Sequence, residues 1–346
     1  MTNPLRSPHP LQLSLPASPL PAASLLEQVL CAWNETGVAY CVLRDGSRLA
    51  ELADGGEVDV LVAPHDLARV ARIARHLGFA RLRCAGYWPH RFFVGYDPQR
   101  DAWIKLDIVT ATYYGAQCEA AHEAIGARCL AHRCWNGVAY VPAAADEFLT
   151  LVLHAVLDKR TIPPPRRDRL QQLCGAWAAH LANPAALADC PLQPATALEL
   201  VRLVQQGRWA ELQQLGAQLA GELSRRRLPS SRSRPLQIRL RRKLSRWAAA
   251  LRPDALSVAI LAPDGAGKST LAHAIRTEFF FPVTTAYMGL YPRATRVAGP
   301  RRLAGWTFAQ RVLGQWRRYA VARWQQARGR FVIFDRYCYD ACIPAA

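Results

Sequence analysis

The chain has 346 residues, and 44 Lys and Arg against 26 Asp and Glu give it a net charge of +18. The excess is confined to one part: residues before Glu222 include 20 basic and 20 acidic ones, the rest 24 basic and 6 acidic. No run of about 18 apolar residues occurs, so we expect no membrane-spanning helix. The 10 cysteines include no Cys-x-x-Cys pair, which argues against a disulfide scaffold and favours a reducing cytoplasm.

Changes of pattern along the chain predict an α/β protein of several units. A Pro- and Ser-rich start is typical of a disordered lead-in. It is followed by alternating helix and strand patterns, a long stretch with helical periodicity, a run of basic residues and a second strand–helix pattern. We predict a lead-in over 1–24, a mixed-sheet α+β domain over 25–142, a helical extension over 143–223, a basic linker helix over 224–253 and a parallel α/β domain over 254–346.

Local signals place the elements of the first domain. Ser24 is a suitable cap for a helix over Leu25–Glu35, and Gly78 is a suitable stop for a later helix. The turn-forming segment Asp97-Pro98-Gln99-Arg100 separates two β-type runs, which is the pattern of a hairpin. The predicted elements are a helix over Leu25–Glu35, strands over 38–43 and 58–62, a helix over 65–77, and a hairpin of 91–96 with Ala102–Val109.

Three acidic residues stand on two of these strands. Glu57 and Asp59 are two residues apart, so a strand presents both on one face, and Asp107 could complete a cluster from another strand. Clustered carboxylates are costly without divalent cations or water, and mutual repulsion should raise the pKa of at least one of them. Two metal ions there could activate an attacking hydroxyl and stabilise a leaving pyrophosphate. The alternative is a set of merely solvated carboxylates.

These acids belong to a wider pattern that resembles the polymerase-β-like nucleotidyltransferase superfamily. The resemblance rests on a Gly-Ser turn, an acid-x-acid strand and a third acid on a later strand, although the first acid here is Glu where Asp is usual. It implies a nucleotidyltransferase-like α+β fold and metal ligation by the three acids. The matching segments are Leu43-Arg44, Gly46-Ser47, Glu57-Val58-Asp59, Lys105-Leu106-Asp107 and the residues 154–159.

The linker between the two halves is strongly basic. Between Arg225 and Arg252 the sequence holds eleven Lys and Arg and no acidic residue. At helical spacing, Leu240, Leu244, Trp247 and Leu251 form one apolar stripe. We favour a solvated helix docked by that stripe, because charge runs are usually solvated faces. Contact with an anionic membrane or with nucleic acid is the alternative.

A phosphate-binding loop is predicted in the C-terminal part. A β-type run over 257–261 leads into a Gly-containing loop and then a helix, which is the context that such a loop requires. Backbone N–H groups at the helix start attract phosphate, Lys268 would reach the β- and γ-phosphates, and the Ser269 hydroxyl would bind Mg²⁺. The predicted cofactor-binding residues are Asp264, Gly265, Ala266, Gly267, Lys268, Ser269 and Thr270.

This loop and the later segment Phe331-Val332-Ile333-Phe334-Asp335-Arg336-Tyr337 together resemble the thymidylate kinases. Ala262 stands where the usual loop begins with glycine, and Asp340 follows where the family has other residues. The resemblance implies that Asp264 contacts the acceptor nucleotide, that Asp335 lies near the metal and that Arg336 clamps the acceptor phosphate. It also implies ATP and Mg²⁺ as cofactors, with Lys268, Asp335 and Arg336 as catalytic residues.

Three functions remain open from the sequence. The first is ATP-dependent phosphoryl transfer to a nucleoside monophosphate-like acceptor, which we expect by family type. The second is nucleotidyl transfer at the N-terminal acids. The third is nucleotide binding without catalysis, as in a remnant of a longer bifunctional protein, because the 93 residues from Asp254 onward fall below a typical domain of about 100–150. From that length we expect the kinase-like domain to be incomplete.

Overall fold

The computed structural model describes residues 23–82, 89–115, 120–188, 190–225, 236, 239–244, 247, 257–262, 266–279, 282–288, 304–328 and 330–335. The predicted lead-in lies outside these residues except for its last two. Within the described part the chain is α/β, with one mixed sheet, one parallel sheet and packed helices. No helix in these ranges is long and apolar enough to cross a membrane.

The N-terminal part is a five-stranded sheet with helices and two small hairpin-like pairs. Ser24 caps the first helix in a capping box with Glu27, which confirms that predicted start. Its elements are α1 (Leu25–Glu35), β1 (Tyr40–Val42), α2 (Leu49–Leu52), β2 (Gly56–Val62), α3 (Leu67–His76), β3 (Ala80–Leu82), β4 (Arg91–Asp97), β5 (Ala102–Val109), β6 (Thr112–Tyr114), β7 (Ala120–His122), α4 (Glu123–Ala131), β8 (Cys134–Trp135) and β9 (Tyr140–Val141).

The five-stranded sheet has the order β1-β2-β5-β4-β3. Its central pair, β2 and β5, is parallel, and the other pairs are antiparallel. The predicted hairpin is therefore confirmed as β4 and β5. One face of the central pair, including Val58 and Val60, is fully buried against α1 and α3. The opposite face, including Leu61 and Val109, packs with the helices that follow.

Those helices confirm the predicted helical extension. They share one core in which Phe148 stacks on Trp177 with ring centroids 5.8 Å apart. The first of them continues into a single π-helical segment over His154–Lys159. The helices are α5 (Ala144–Leu153), α6 (Pro164–Leu181), α7 (Pro184–Ala188), α8 (Pro194–Gln205), α9 (Trp209–Gln214) and α10 (Gly216–Arg225).

The C-terminal part is a parallel three-stranded sheet with two helices. Strand order is β10-β12-β11, and all pairs are parallel, as predicted for this part. Parallel neighbours need crossover connections, and the two helices lie in those connections. The elements are β10 (Ser257–Ile260), α11 (Lys268–Glu278), β11 (Val283–Tyr287), α12 (Ala304–Ala327) and β12 (Phe331–Asp335).

The basic linker differs from the favoured interpretation. Residues 239–244 are helical, as predicted, but Leu240, Leu244 and Trp247 are 55%, 57% and 56% exposed. Leu240 and Leu244 are therefore not docked, whereas the ring of Trp247 contacts Trp324 of α12, with centroids 6.0 Å apart. Leu251, the fourth member of the stripe, lies outside the described residues.

Candidate functional sites

The three predicted acids of the N-terminal sheet come together. Carboxylate oxygens of Glu57, Asp59 and Asp107 lie within 4.8 Å of one another. The cause is the parallel register of β2 and β5, which pairs Asp59 directly with Asp107. Because side chains alternate along a strand, Glu57 and Asp59 share the face opposite the buried Val58.

This cluster lies at the edge of a cleft between the sheet and the helices. Asp107 is 7% exposed, and Asp59 is intermediate. The cleft is lined by the acids Asp59 and Asp107 together with cationic, hydroxyl and aromatic side chains. Its lining residues are Leu43, Arg44, Asp59, His90, Asp107, Val109, Thr112, Tyr113, Tyr114 and Thr150. A polar cleft of this kind, closed at its base by apolar packing, is a suitable place for a small charged ligand.

Each acid of the cluster also has a basic partner. Lys105 Nζ lies 2.8 Å from Glu57 Oε1, and His90 Nδ1 lies 2.8 Å from Asp107 Oδ2. Arg44 contacts both oxygens of Asp59, with Nε and a terminal nitrogen each at 2.9 Å. These partners offset the repulsion among the three carboxylates.

The expected rise of a carboxyl pKa is therefore not found at Asp59. Burial acts to raise the pKa of this carboxyl, but the charge and hydrogen bonds of Arg44 outweigh it and leave the pKa below its usual value. A buried carboxylate with a bidentate guanidinium partner is expected to stay ionised. Arg44 thus keeps the Asp59 carboxylate ionised.

A His–Asp pair lies beside the cleft, in the segment 154–159 that the nucleotidyltransferase resemblance includes. His154 Nδ1 lies 2.8 Å from Asp158 Oδ2, and the other oxygen of Asp158 accepts the backbone N–H of Gly115 at 2.5 Å. Burial lowers the pKa of His154 against the opposing effect of Asp158, so the imidazole is neutral near pH 7. The i,i+4 spacing was visible in the sequence, whereas the π-helical turn that carries it had no sequence signal.

The phosphate-loop residues lie at the start of α11, at the carboxyl end of β10. Gly267 has a left-handed φ of +77°, and a Cβ at this residue would have open space around it. Lys268 is buried, and its ammonium donates to the carbonyl of Ala262 at the other end of the loop. Ala266, Gly267, Ser269 and Thr270 are exposed.

Asp335 ends β12 beside this loop. Its register partners are Ile260 of β10 and Tyr287 of β11, so it stands at the same carboxyl edge of the sheet from which the loop departs. That edge is where parallel α/β sheets bind ligands. Three residues of the predicted site, Asp264, Gly265 and Arg336, lie outside the described residues.

The described residues at this edge include groups of the kind that a magnesium–triphosphate ligand would need. The first residues of α11 have N–H groups without intrahelical acceptors, because the first bond of the ladder is the one from Leu271 N–H to the Gly267 carbonyl. Ser269 and Asp335 carry oxygen atoms of the kind that Mg²⁺ prefers as ligands. The open space at Gly267 leaves the loop accessible to an anion.

Comparison with known proteins adds no relative. No family model, no curated protein and no solved structure matches this chain. The assignment of function therefore depends on the geometry of the two sites and on the chemistry of their residues.

Proposed function

We propose that the C-terminal site binds ATP with Mg²⁺ and transfers its γ-phosphoryl group to a nucleoside monophosphate-like acceptor. The observation that carries the proposal is the arrangement of Lys268 and Asp335. A buried ammonium at a helix N-terminus and a carboxylate at the end of the neighbouring parallel strand face the same edge of the sheet. These are the two charges that a metal–triphosphate complex needs from a protein.

Each residue has a definite task in this proposal. Backbone N–H groups of residues 266–270 bind the phosphate oxygens, and the positive end of the α11 dipole adds to the attraction. Lys268 leaves the Ala262 carbonyl and binds the β- and γ-phosphates. Ser269 and Asp335 would hold Mg²⁺, and the ion would supply charge neutralisation on the transferring group. Arg336, the next residue in the sequence, binds the acceptor phosphate through its planar guanidinium.

The test is a transfer assay with γ-labelled ATP, Mg²⁺ and a panel of nucleoside monophosphates that includes thymidine monophosphate. We expect a labelled nucleoside diphosphate, and we expect Lys268→Ala and Asp335→Asn each to lower its rate at least about a hundredfold. Arg276→Ala is the matched control, since Arg276 is an exposed cation at the far end of the same helix. Binding of ATP without transfer to any acceptor would support the non-catalytic alternative instead.

Nucleotidyl transfer at the N-terminal acids is the second candidate. It is favoured by one observation, the approach of three carboxylates to within 4.8 Å in a polar cleft. Glu57, Asp59 and Asp107 would hold divalent metal, which supplies an activated hydroxyl and charge neutralisation at a leaving pyrophosphate. Metal binding here competes with Arg44, Lys105 and His90 for the carboxylate oxygens, so the affinity includes the cost of weakening those pairs.

The second candidate is tested by thermal unfolding with Mn²⁺ or Mg²⁺. Metal bound to the folded state stabilises it by about 2.7 kcal/mol at a hundredfold excess over Kd, so the melting temperature should rise. Asp107→Asn should abolish the rise, whereas Asp101→Asn, at an exposed turn outside the cluster, should leave it unchanged. No rise in the wild-type protein would leave the cluster as an ion-pair network only.

A further inference from the structure

The linker helix carries apolar side chains that the rest of the described chain does not cover. Leu240, Leu244 and Trp247 are each more than half exposed, as is Leu236 at 71%. Successive members are four, four and three residues apart, so all four side chains lie on one face of the helix. Single exposed apolar residues are ordinary, but a continuous stripe marks a surface that contacts something else.

Helix α12 carries a second stripe of the same kind. Its inner face packs on the sheet through Ala322 and Gln326, which are 1% and 4% exposed. The outward face presents Leu313, Trp316 and Trp324, which are 72%, 66% and 43% exposed. This helix therefore presents large apolar side chains on the face turned away from the sheet.

The two stripes meet. The rings of Trp247 and Trp324 contact edge to face, with centroids 6.0 Å apart at 66°. We call the joined set the tryptophan surface; its members are Leu236, Leu240, Leu244, Trp247, Leu313, Trp316 and Trp324. Because this contact joins the two stripes, one flat partner could contact both helices at once.

The charges around the tryptophan surface specify that partner. Eleven Lys and Arg and no acidic residue lie between Arg225 and Arg252, and α12 has four Arg and no acidic residue. On the linker helix Arg239, Arg241 and Lys243 are exposed, and on α12 Arg317 and Arg318 are exposed. An anionic partner therefore complements the charge of this surface.

We infer that the tryptophan surface docks the protein on an anionic lipid bilayer. Exposed leucines have no use in binding phosphates of nucleic acid, whereas Leu and Trp beside Lys and Arg are the composition of helices that lie in a membrane interface. The tryptophans lie at headgroup depth, and the nearby cations add electrostatic attraction to an acidic leaflet. The inference depends on neither proposed activity.

The test is co-sedimentation of the full-length protein with vesicles. We expect binding to vesicles of equimolar phosphatidylcholine and phosphatidylserine, weak binding to phosphatidylcholine alone, and loss of binding at high salt. The triple variant Leu240→Ser/Leu244→Ser/Trp316→Ser should partition at least tenfold more weakly. Because these side chains are exposed, the variant should fold, which circular dichroism and an unchanged melting temperature would verify.

A matched control separates the tryptophan surface from general exposure. Leu198→Ser changes a leucine of α8 that is 55% exposed, and it should leave vesicle binding unchanged. The inference is overturned if the triple variant binds acidic vesicles as well as the wild type, because attraction would then be electrostatic alone. It is equally overturned if the protein ignores vesicles but binds a single-stranded oligonucleotide.

Discussion

Arg44 and Asp59, which both line the N-terminal cleft, form a bidentate ion pair with both nitrogen–oxygen distances at 2.9 Å. About a fifth of each side chain is exposed, so the pair is largely removed from water. The backbone reinforces it, since the N–H of Leu43 donates to the Asp59 carbonyl at 2.9 Å. The pair holds one of the three acids in place and cancels its charge.

Removing one partner of this pair should be costly. Asp59→Ala leaves a mostly buried guanidinium unpaired, and we expect a loss of about 3 kcal/mol in the free energy of unfolding, measured in urea. Arg44→Ala should cost a similar amount, and the double variant should cost less than the sum. Glu51→Ala is the control, because the Arg48–Glu51 pair is exposed and its loss should cost no more than about 1 kcal/mol. An Asp59→Ala protein more stable than the wild type would mean that repulsion among the acids dominates.

Stability should depend on the protonation of His154. Burial lowers the pKa of this imidazole; Asp158 acts to raise it, and Arg44 and Arg166 act to lower it. In the unfolded chain its pKa is about 6.5, so below that pH the unfolded state binds the proton first. The free energy of unfolding should therefore fall as pH decreases from about 6.5 towards the lower folded pKa.

A substitution isolates this contribution. His154→Gln should flatten the pH dependence of the melting temperature in that window, whereas His65→Gln, at a side chain 77% exposed, should leave it as in the wild type. If His154→Gln retains the full pH slope, another group is responsible.

Most strands of the two sheets followed from local patterns, whereas β3 and β11 were not predicted. Ser24 predicted the start of α1, where the structure adds Glu27 as its capping-box partner. The β-type runs on either side of residues 97–100 predicted the β4–β5 hairpin. The approach of Glu57, Asp59 and Asp107 also followed, since period-two alternation places acids of adjacent strands on one face. These features depend on short-range rules that a sequence carries directly.

Other features depend on contacts that no local pattern specifies. His90, which directly precedes β4, contacts Asp107 on β5. Lys105 contacts Glu57 because the register of β2 and β5 pairs these two residues. The stripe of Leu240, Leu244 and Trp247 has the same spacing whether it is docked or exposed. Only the surrounding structure distinguishes the two: Leu240 and Leu244 are exposed, whereas Trp247 contacts Trp324.

Arg336 should discriminate between the acceptor and ATP. Its guanidinium can bind a phosphate with two parallel hydrogen bonds, a geometry that lysine cannot copy. Arg336→Lys should therefore weaken binding of the nucleoside monophosphate that the transfer assay identifies, and leave ATP binding nearly unchanged. Equal weakening of both ligands in calorimetry would assign Arg336 a structural role.

The central claim, that the loop before α11 is a triphosphate site, is tested most directly by calorimetric titration of the full-length protein with ATP and Mg²⁺. Lys268→Ala should weaken binding at least tenfold, or about 1.4 kcal/mol, because the ammonium that would bind the phosphates is lost. Arg276→Ala, on the same helix, should bind as the wild type does. Equal affinity of the wild-type and Lys268→Ala proteins for ATP would contradict the claim.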